Sequence, residues 1–321
     1  MGTGGRSRDR RALRDLGEFG LIERIARAAQ RIPSGRGVVL GIGDDAALLR
    51  PGAGEDVVVS ADTYVEDVHF RWRSESPRGI GRRILVANLS DLAAMGARPL
   101  AFTLALAAPP GLPVRRVDGV LAGLLREADA HRCPLVGGNV TRARETHLAI
   151  TAIGAVRRGR ALTRRGARAG DRLFVTGTLG GAALERVRAE RAGGRVRRVA
   201  TPRLRAGRAL GRIPQVSACI DISDGLEADL QRLLGERCHV ALDPRCLPRP
   251  PGFARRCAEL GVDPEALLRR GGEDYELLFT LRHRGPEVSA LTRRLGVRVS
   301  ELGRIRRGAP QAEVGGGWRH F

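Results

Sequence analysis

Five short acidic clusters, each bordered by glycine or other small residues, interrupt a chain that is otherwise rich in arginine. They lie at residues 41–46, 60–63, 88–92, 221–226 and 271–277. Glycine lets the backbone approach a ligand closely, and α/β proteins build ligand sites where strand ends bring side chains to one rim. Carboxylate oxygens are the ligands that Mg²⁺ prefers. The pattern therefore predicts an α/β fold that binds several metal ions, and several metal ions indicate a polyphosphate ligand.

Each acidic cluster, taken alone, has a simpler explanation. Serine and aspartate often cap the first turn of a helix, and aspartate often closes a turn. Capping would account for Ser90, Asp91, Ser223 and Asp224, and a turn would account for Asp44 and Asp45. Neither explains Asp221 at the end of a strand-like segment, or Asp62 after the apolar residues 57–59. The clusters together favour a ligand site.

Two other notable residues also have a simple structural explanation. His69 lies between Val68 and Phe70, and a lone histidine of this kind is more often packed or on the surface than catalytic. Trp318 near the C-terminus would ordinarily anchor packing. Neither residue indicates a function by itself.

The segment Gly41-x-Gly43-x-x-Ala46 superficially matches a dinucleotide-binding fingerprint, with Asp62 further along the chain. We reject this interpretation because residues 51–54 leave too little chain for the crossover helix that a βαβ unit requires. Asp44 and Asp45 would also repel a pyrophosphate at this position.

The formal net charge is +21, and the sequence contains no lysine, so arginine supplies the basic side chains. Nucleic-acid binding requires basic residues clustered on one face. Here the arginines are spread through every segment, which favours an ordinary solvated surface over a nucleic-acid partner. The absence of lysine also excludes a P-loop, a protein-kinase strand lysine and Schiff-base chemistry. An enzyme of this composition that uses ATP must have another design.

The 321 residues suffice for two domains with their own cores. Five cysteines, at positions 133, 219, 238, 246 and 257, form no Cys-x-x-Cys pair, which predicts reduced thiols and a cytoplasmic protein. No apolar run approaches the roughly 18 residues of a membrane-spanning helix. Residues 1–14 are basic and lack a following apolar segment, so we expect a disordered tail and no secretory signal.

Hydrophobic periodicity divides the remaining chain into helices and strands. Helices are predicted at 18–31, 84–95 and 117–130, and strands at 38–40, 57–59, 100–108, 134–140 and 148–156. The polar, arginine-rich residues 157–170 mark the expected boundary between an N-terminal domain (15–156) and a C-terminal α/β domain (157–321). Residues 186–208 are basic and poor in large apolar side chains, and we expect them to be exposed or mobile.

These motifs, in this order, resemble those of the thiamine-monophosphate kinases. The residues that carry the resemblance are Gly17-Glu18-Phe19, Gly41-Ile42-Gly43-Asp44-Asp45-Ala46, Ala61-Asp62-Thr63, His69-Phe70, Asn88-Leu89-Ser90-Asp91-Leu92, Asp221-Ile222-Ser223-Asp224-Gly225-Leu226, Gly271-Gly272-Glu273-Asp274-Tyr275-Glu276-Leu277 and Gly317-Trp318-Arg319-His320-Phe321. The family belongs to an ATP-binding superfamily that includes aminoimidazole ribonucleotide synthetase and selenophosphate synthetase.

The resemblance implies a two-domain, aminoimidazole-ribonucleotide-synthetase-like fold whose N-terminal domain binds ATP and forms a homodimer. It implies transfer of the γ-phosphoryl group of ATP to thiamine monophosphate, with several Mg²⁺ ions. The residues implied to hold Mg²⁺ are Asp45, Ser60, Ala61, Asp62, Asp91, Asn139, Asp221 and Asp224. Those implied to contact ATP are Gly138, Asn139, Arg164 and Ser223, and those implied to contact thiamine monophosphate are His69, Glu273 and Trp318.

The chain departs from the family pattern at three places. Asn139 stands where the family usually has a metal-binding aspartate, and a neutral amide oxygen should hold Mg²⁺ more weakly. Ala61 stands where threonine is usual, although its backbone carbonyl is still available. The proline-rich segment of the family is reduced to Thr201-Pro202-Arg203.

Two alternatives remain open from the sequence. The first is another enzyme of the same superfamily, although no cysteine precedes Cys133 as in the selenophosphate synthetases, and the chain ends at Phe321 without the terminal cysteine of the hydrogenase-maturation relatives. The second is a basic binding protein with a weakened active site, which Asn139 favours and the other aspartates oppose.

Overall fold

The computed structural model describes residues 11–33, 37–42, 46–192 and 194–308. Asp44, Asp45, Trp318 and residues 1–10 of the expected tail lie outside this part of the chain, so the predictions made for them stay predictions. The described residues have the mixed α/β structure that the sequence predicts. The chain divides into two compact units.

Unit 1 comprises Met1–Asn88, Pro99–Ala155 and Arg195–Val199. Its elements are α1 (Leu13–Ala29), β1 (Val38–Leu40), β2 (Leu48–Leu49), β3 (Glu55–Val65), α2 (Pro77–Ala94), β4 (Arg98–Ala108), α3 (Val114–His131), β5 (Leu135–Arg142) and β6 (His147–Arg157), although the part of α2 from Leu89 onward belongs to unit 2. Four strands form a sheet in the order β3-β6-β4-β5, and β4 and β5 are parallel. Strands β1 and β2 pair antiparallel, which confirms that this segment is not a dinucleotide-binding βαβ unit.

Unit 2 comprises Leu89–Arg98, Val156–Gly194 and Ala200–Phe321. Its elements are β7 (Arg172–Thr176), α4 (Gly181–Arg191), α5 (Leu204–Leu210), β8 (Val216–Asp221), α6 (Leu226–Leu234), β9 (Cys238–His239), α7 (Phe253–Glu259), α8 (Pro264–Arg270), β10 (Leu277–Leu281), α9 (Val288–Leu295), β11 (Val299–Arg304) and β12 (Arg306–Arg307), with a 3-10 turn at Pro244–Cys246. The main sheet has the order β11-β7-β10-β8, with antiparallel neighbours. Strand β8 therefore lies at one edge and ends at Asp221.

The expectation that residues 186–208 are exposed or mobile is wrong at both ends. Helix α4 continues to Arg191 with Ala189 buried, and α5 begins at Leu204 with Ala206 and Gly207 buried. A Cβ atom on Gly207 would overlap the Ala93 carbonyl oxygen. These helices bury alanine and glycine as well as leucine, and the sequence pattern missed them because it counted only large apolar residues.

The amphipathic pattern of α3 is confirmed, because Leu121, Leu124 and Ala128 are buried together. Two glycines let α3 approach α2 closely. A Cβ atom on Gly81 would overlap the Val120 carbonyl oxygen, and a Cβ atom on Gly123 would overlap the Arg78 carbonyl oxygen. The contact between the two helices therefore depends on backbone packed directly against backbone.

We predict opposite effects for the same substitution in two helices of unit 1. Gly123→Ala should lower the free energy of unfolding by about 1–3 kcal/mol because the added methyl group overpacks the core. Gly20→Ala, in α1, meets only an ordinary 3.5 Å contact with Leu16 and should stabilise by up to about 1 kcal/mol through helix propensity. Urea unfolding of both variants tests this, and equal effects would contradict it.

All five cysteines have free thiols. Burial raises the pKa of the Cys133 thiol to about 12 and raises the pKa of the Cys219 thiol still further.

No helix in the described ranges combines the length and apolar character needed to cross a membrane.

Candidate active site

Unit 2 brings together two acidic residues from distant parts of the sequence. Asp221 ends strand β8, and Ser90 Oγ donates a hydrogen bond to Asp221 Oδ2 at 2.7 Å. Asp91 follows Ser90 in the last turns of α2, far from the helix start at Pro77. The alternative that Ser90 and Asp91 only cap a helix N-terminus is therefore excluded. Burial, and next the negative charge of Asp91, raise the pKa of Asp221 well above its ordinary value.

The pair formed by Asp91 and Asp221 fits a divalent cation. A buried carboxylate beside a second carboxylate is unfavourable when ionised, and a bound cation reverses that effect. Among the residues that the structure describes, no three histidine, cysteine or acidic side chains gather into a full metal centre. Mg²⁺ usually takes one or two protein carboxylates and completes its shell with water and substrate phosphates.

Ser223 and Asp224 form a turn that Asp229 holds in place. Asp229 Oδ2 accepts hydrogen bonds from the backbone N–H groups of Ser223 and Asp224, both at 3.0 Å. Arg232 Nη1 lies 2.6 Å from Asp224 Oδ2 and 2.6 Å from Asp229 Oδ1. Burial raises the pKa of Asp229 to about 6, although Arg232 opposes this. The N-cap of α6 is Gly225, with no side-chain capping bond, so capping does not explain Ser223 or Asp224 either.

The loop at residues 271–276 is fixed against this turn. The N–H of Glu273 donates to Ser223 O at 2.8 Å, that of Tyr275 donates to Ile222 O at 2.9 Å, and that of Ile222 donates to Glu276 O at 2.8 Å. Glu273 and Tyr275 have φ values of 66° and 50°, a left-handed conformation that is uncommon outside glycine. Strand β10 begins only after this loop, at Leu277.

Two further acids of the same loop bind the rest of unit 2. Asp274 accepts hydrogen bonds from the N–H groups of Gly180, at 2.6 Å, and Ala182, at 3.1 Å, at the start of α4. Glu276 is buried and accepts from Arg203 Nε at 2.6 Å, Arg203 Nη2 at 2.5 Å and Thr176 Oγ1 at 2.7 Å. Arg203, the last residue of the reduced proline segment, thus neutralises Glu276.

Four residues that support the site, Asp229, Asp274, Glu276 and Arg203, were not predicted as site residues from the sequence. Asp229 carries a weak signal, since it closely follows a motif that contains Asp221 and Asp224. Asp274 and Glu276 lie beside Glu273 in one motif, and nothing local distinguishes their partners. Arg203 is one of many arginines, and only the tertiary contact with Glu276 identifies it.

We predict that Asp274 makes stability depend on pH. Burial raises its pKa to about 7, against about 3.9 in the unfolded chain. The folded state therefore holds this proton more tightly, so the stabilisation is complete below pH 4 and is lost as the pH rises to about 7. Between pH 5 and pH 8 the loss should reach up to about 3 kcal/mol.

Asp274→Asn should remove this contribution, because an amide does not titrate. Urea unfolding at pH 5 and pH 8 gives the free energy of unfolding of the wild type and of the variant. As the pH rises, the free energy of unfolding of the variant should increase relative to that of the wild type. A difference between the two free energies that stays constant across this range would contradict the prediction.

Unit 1 carries the remaining predicted residues. Ser60 and Asp62 lie half-buried on one face of β3, and Ala61 is exposed on the other. Gly138 and Asn139 lie on β5. Strands β3 and β5 are the two edges of their sheet, about 14 Å apart at three strand spacings. The structure therefore does not bring these two groups together within one chain.

Gly138 has φ 157°, and a Cβ atom there would overlap the Leu104 carbonyl oxygen, so only glycine fits. Asn139 is exposed and lies opposite Ala105 in the register of β4 and β5. Arg164, in unit 2, is also exposed, and its neighbour Thr163 accepts a backbone hydrogen bond from Cys219 of β8 at 2.9 Å.

His69 is held in a defined orientation. Its Nδ1 accepts a hydrogen bond from the Val65 backbone N–H at 3.1 Å, and its ring stacks on Tyr64 with centroids 5.5 Å apart. A backbone N–H can only donate, so Nδ1 carries no proton and Nε2 is the protonated nitrogen. Arg83, which forms a buried ion pair with Glu75, donates to the His69 carbonyl oxygen at 3.3 Å.

Comparison with known proteins defines the class of the protein. Residues 43–156 match the family model described as AIR synthase related protein, N-terminal domain. A solved structure of thiamine-monophosphate kinase from Stenotrophomonas maltophilia K279a is 35% identical, with a TM-score of 0.79, and the similarity covers 93% of this chain and 98% of that chain. A structure described as AaThiL complexed with AMPPCP and TMP is 26% identical, with a TM-score of 0.71, over 97% of this chain and 99% of that chain. The chain has the AIR-synthase-related fold.

The particular family follows from sequence identity. Thiamine-monophosphate kinase from Synechococcus elongatus is 34% identical over 319 residues, which cover 92% of this chain and 90% of that protein. The chain belongs to the thiamine-monophosphate kinase family. The resemblance carried by the motifs is thus confirmed, and the alternative of a different enzyme of the superfamily is set aside.

Proposed function

We propose that this chain transfers the γ-phosphoryl group of ATP to thiamine monophosphate, giving thiamine diphosphate. The observation that carries the proposal is membership of the thiamine-monophosphate kinase family along nine-tenths of the chain. The solved relative complexed with AMPPCP and TMP supports ATP and thiamine monophosphate as the two substrates.

The proposed reaction does not require a general base from the protein. The nucleophile is a phosphate whose second pKa is about 6, so it is largely deprotonated at neutral pH. Asp91 and Asp221 would hold Mg²⁺, which when bound would supply positive charge to offset the repulsion between the two polyanions. The absence of lysine is compatible with this chemistry.

In unit 2, Asp91 and Asp221 would hold Mg²⁺, with the Ser90 hydroxyl orienting Asp221. Asp229 fixes the turn that presents Ser223 to ATP and Asp224 to a metal ion. The exposed guanidinium of Arg164 would bind ATP phosphate as a planar donor group. Glu273 would attract the positively charged thiamine.

In unit 1, we propose that Ser60, the Ala61 carbonyl, Asp62 and Asn139 contribute further metal ligands, together with Asp45. The bare backbone at Gly138 lets ATP approach. His69 would donate a hydrogen bond from Nε2 to thiamine monophosphate, and Trp318 would contact the same substrate. The roles of Asp45 and Trp318 rest on the family motif alone.

We predict that Asn139 weakens one metal site. Wild-type protein should form thiamine diphosphate, and Asn139→Asp should reach half-maximal rate at a lower Mg²⁺ concentration because it restores a charged ligand. The rate is measured by chromatography of the product across a Mg²⁺ titration. Gln30→Glu, which adds the same charge at the exposed end of α1, is the matched control and should leave the Mg²⁺ requirement unchanged.

Absence of thiamine diphosphate from the wild type and Asn139→Asp proteins at every Mg²⁺ concentration would overturn the proposed function. A salt-dependent affinity for DNA or RNA, without ATP turnover, would instead support the alternative of a basic binding protein. The cytoplasmic location expected from the cysteine pattern stays a prediction.

We further propose that the enzyme is a homodimer formed through unit 1. Val57 and Val59 on the edge strand β3 are 51% and 62% exposed, and the hairpin of β1 and β2 exposes Val39 and Leu48. An apolar edge strand of this kind favours pairing with another chain. The separation of Ser60 and Asp62 from Gly138 and Asn139 on opposite sheet edges also supports a site that a second copy completes.

The dimer proposal predicts a solution mass of twice 34.5 kDa by light scattering. Val57→Asp/Val59→Asp should reduce this to the mass of one chain, because two charges would be buried in the interface, and should lower kinase activity. Gln30→Glu should keep the dimer mass. A wild-type protein with the mass of one chain would contradict the proposal.

A further inference from the structure

Helix α4 and the loop at residues 271–276 hold each other at two points. At the helix start, Asp274 accepts the N–H groups of Gly180 and Ala182. A Cβ atom on Gly271 would crowd the Ala183 side chain, so the loop lies directly against the first turn of the helix. The position of the loop is therefore set by α4.

The second point of attachment is Arg186, one turn further along α4. Arg186 Nη1 lies 2.8 Å from Glu273 Oε2, and Arg186 Nη2 donates to the Gly272 carbonyl oxygen at 3.3 Å. The guanidinium thus binds the carboxylate and the preceding peptide group together. Both side chains are partly accessible, with 35% of Arg186 and 22% of Glu273 exposed. The pair lies at the surface of the site and not in the core.

Glu273 is also one of two residues of the loop, with Tyr275, that have an unfavourable left-handed backbone. Its φ is 66°, and its N–H is fixed by Ser223 O at 2.8 Å. Backbone strain that the surrounding contacts maintain is characteristic of groups held in place for a ligand. Here the strained residue presents a carboxylate next to the turn that contains Ser223 and Asp224.

We propose that Arg186 is a positioning residue that holds the Glu273 carboxylate ready for the positively charged ring of thiamine monophosphate. The inference rests on the proposed function, because thiamine carries a fixed positive charge that a carboxylate recognises. Arg186 acts through Glu273 and takes no part in phosphoryl transfer. Without Arg186, the Glu273 carboxylate would be less strictly ordered, and binding the substrate would have to complete that ordering.

The proposal predicts a selective effect on the acceptor substrate. Arg186→Ala should raise KM for thiamine monophosphate about threefold to tenfold, the cost of ordering one side chain on binding, and should leave kcat and the KM for ATP within about twofold. Arg186→Lys should recover part of the loss, because lysine restores the charge but not the paired contact with the Gly272 carbonyl. Arg188→Ala is the matched control, because Arg188 lies on the same helix and pairs with Glu185.

A double-mutant cycle distinguishes positioning from general support of the fold. If Arg186 acts through Glu273, Arg186→Ala should have no further effect on the KM for thiamine monophosphate in a Glu273→Gln background. An equal rise in KM in both backgrounds would overturn the proposal. So would an Arg186→Ala protein whose KM matches that of Arg188→Ala.

The same measurements separate this inference from the proposed function. Wild-type protein that forms no thiamine diphosphate would overturn the proposed function and, with it, this inference. Wild-type protein that is active while Arg186→Ala retains its KM would overturn the role of Arg186 alone. Thermal unfolding of Arg186→Ala and Arg188→Ala shows whether both variants are folded, and calorimetric binding of thiamine monophosphate replaces turnover if Arg186→Ala is too slow to assay.

Discussion

The structure of unit 2 depends on satisfying carboxylates that are removed from water. An unpaired buried charge is strongly destabilising, and each of these acids has a partner from a distant segment. Asp221 binds the Ser90 hydroxyl, Asp274 binds the start of α4, and Glu276 binds Arg203. Because these partners lie on α2, α4 and the segment before α5, the acids fix how those elements meet at the end of the sheet.

The hydrogen-bond partners of the buried acids also distinguish two acids with a structural role, Glu276 and Asp229, from the candidate metal ligand Asp221. Glu276 and Asp229 are neutralised by arginine, from Arg203 and Arg232 respectively. Asp221 instead receives a neutral hydroxyl and lies in the field of Asp91. A buried carboxylate surrounded in this way favours an added cation. The acidic motifs therefore combine ligands with the residues that hold those ligands in place.

Arginine takes the supporting roles in this lysine-free chain. Arg232 spans Asp224 and Asp229 with one nitrogen, and Arg203 binds Glu276 with two. A planar guanidinium presents several donors in fixed directions, so it suits carboxylates that must keep one orientation. The phosphoryl transfer that we propose needs no lysine, because its acceptor is already an anion. A high arginine content is thus compatible with an ordinary surface and with a precisely oriented acidic site.

The sequence by itself determined the family, the α/β class, most of the helices and strands between residues 15 and 156, and which motifs carry the acids, because these follow from local periodicity and short residue patterns. Only the tertiary structure decided which acids meet. Ser90 and Asp221 are 131 residues apart, and no local pattern encodes such a contact. The tertiary structure also decided that Asp229, Asp274 and Arg203 support the site. It decided as well that buried alanine and glycine residues help to pack α4 and α5 against their neighbours. The physical reason is that burial and charge pairing are set by neighbours in space, whereas periodicity reports only on neighbours along the chain.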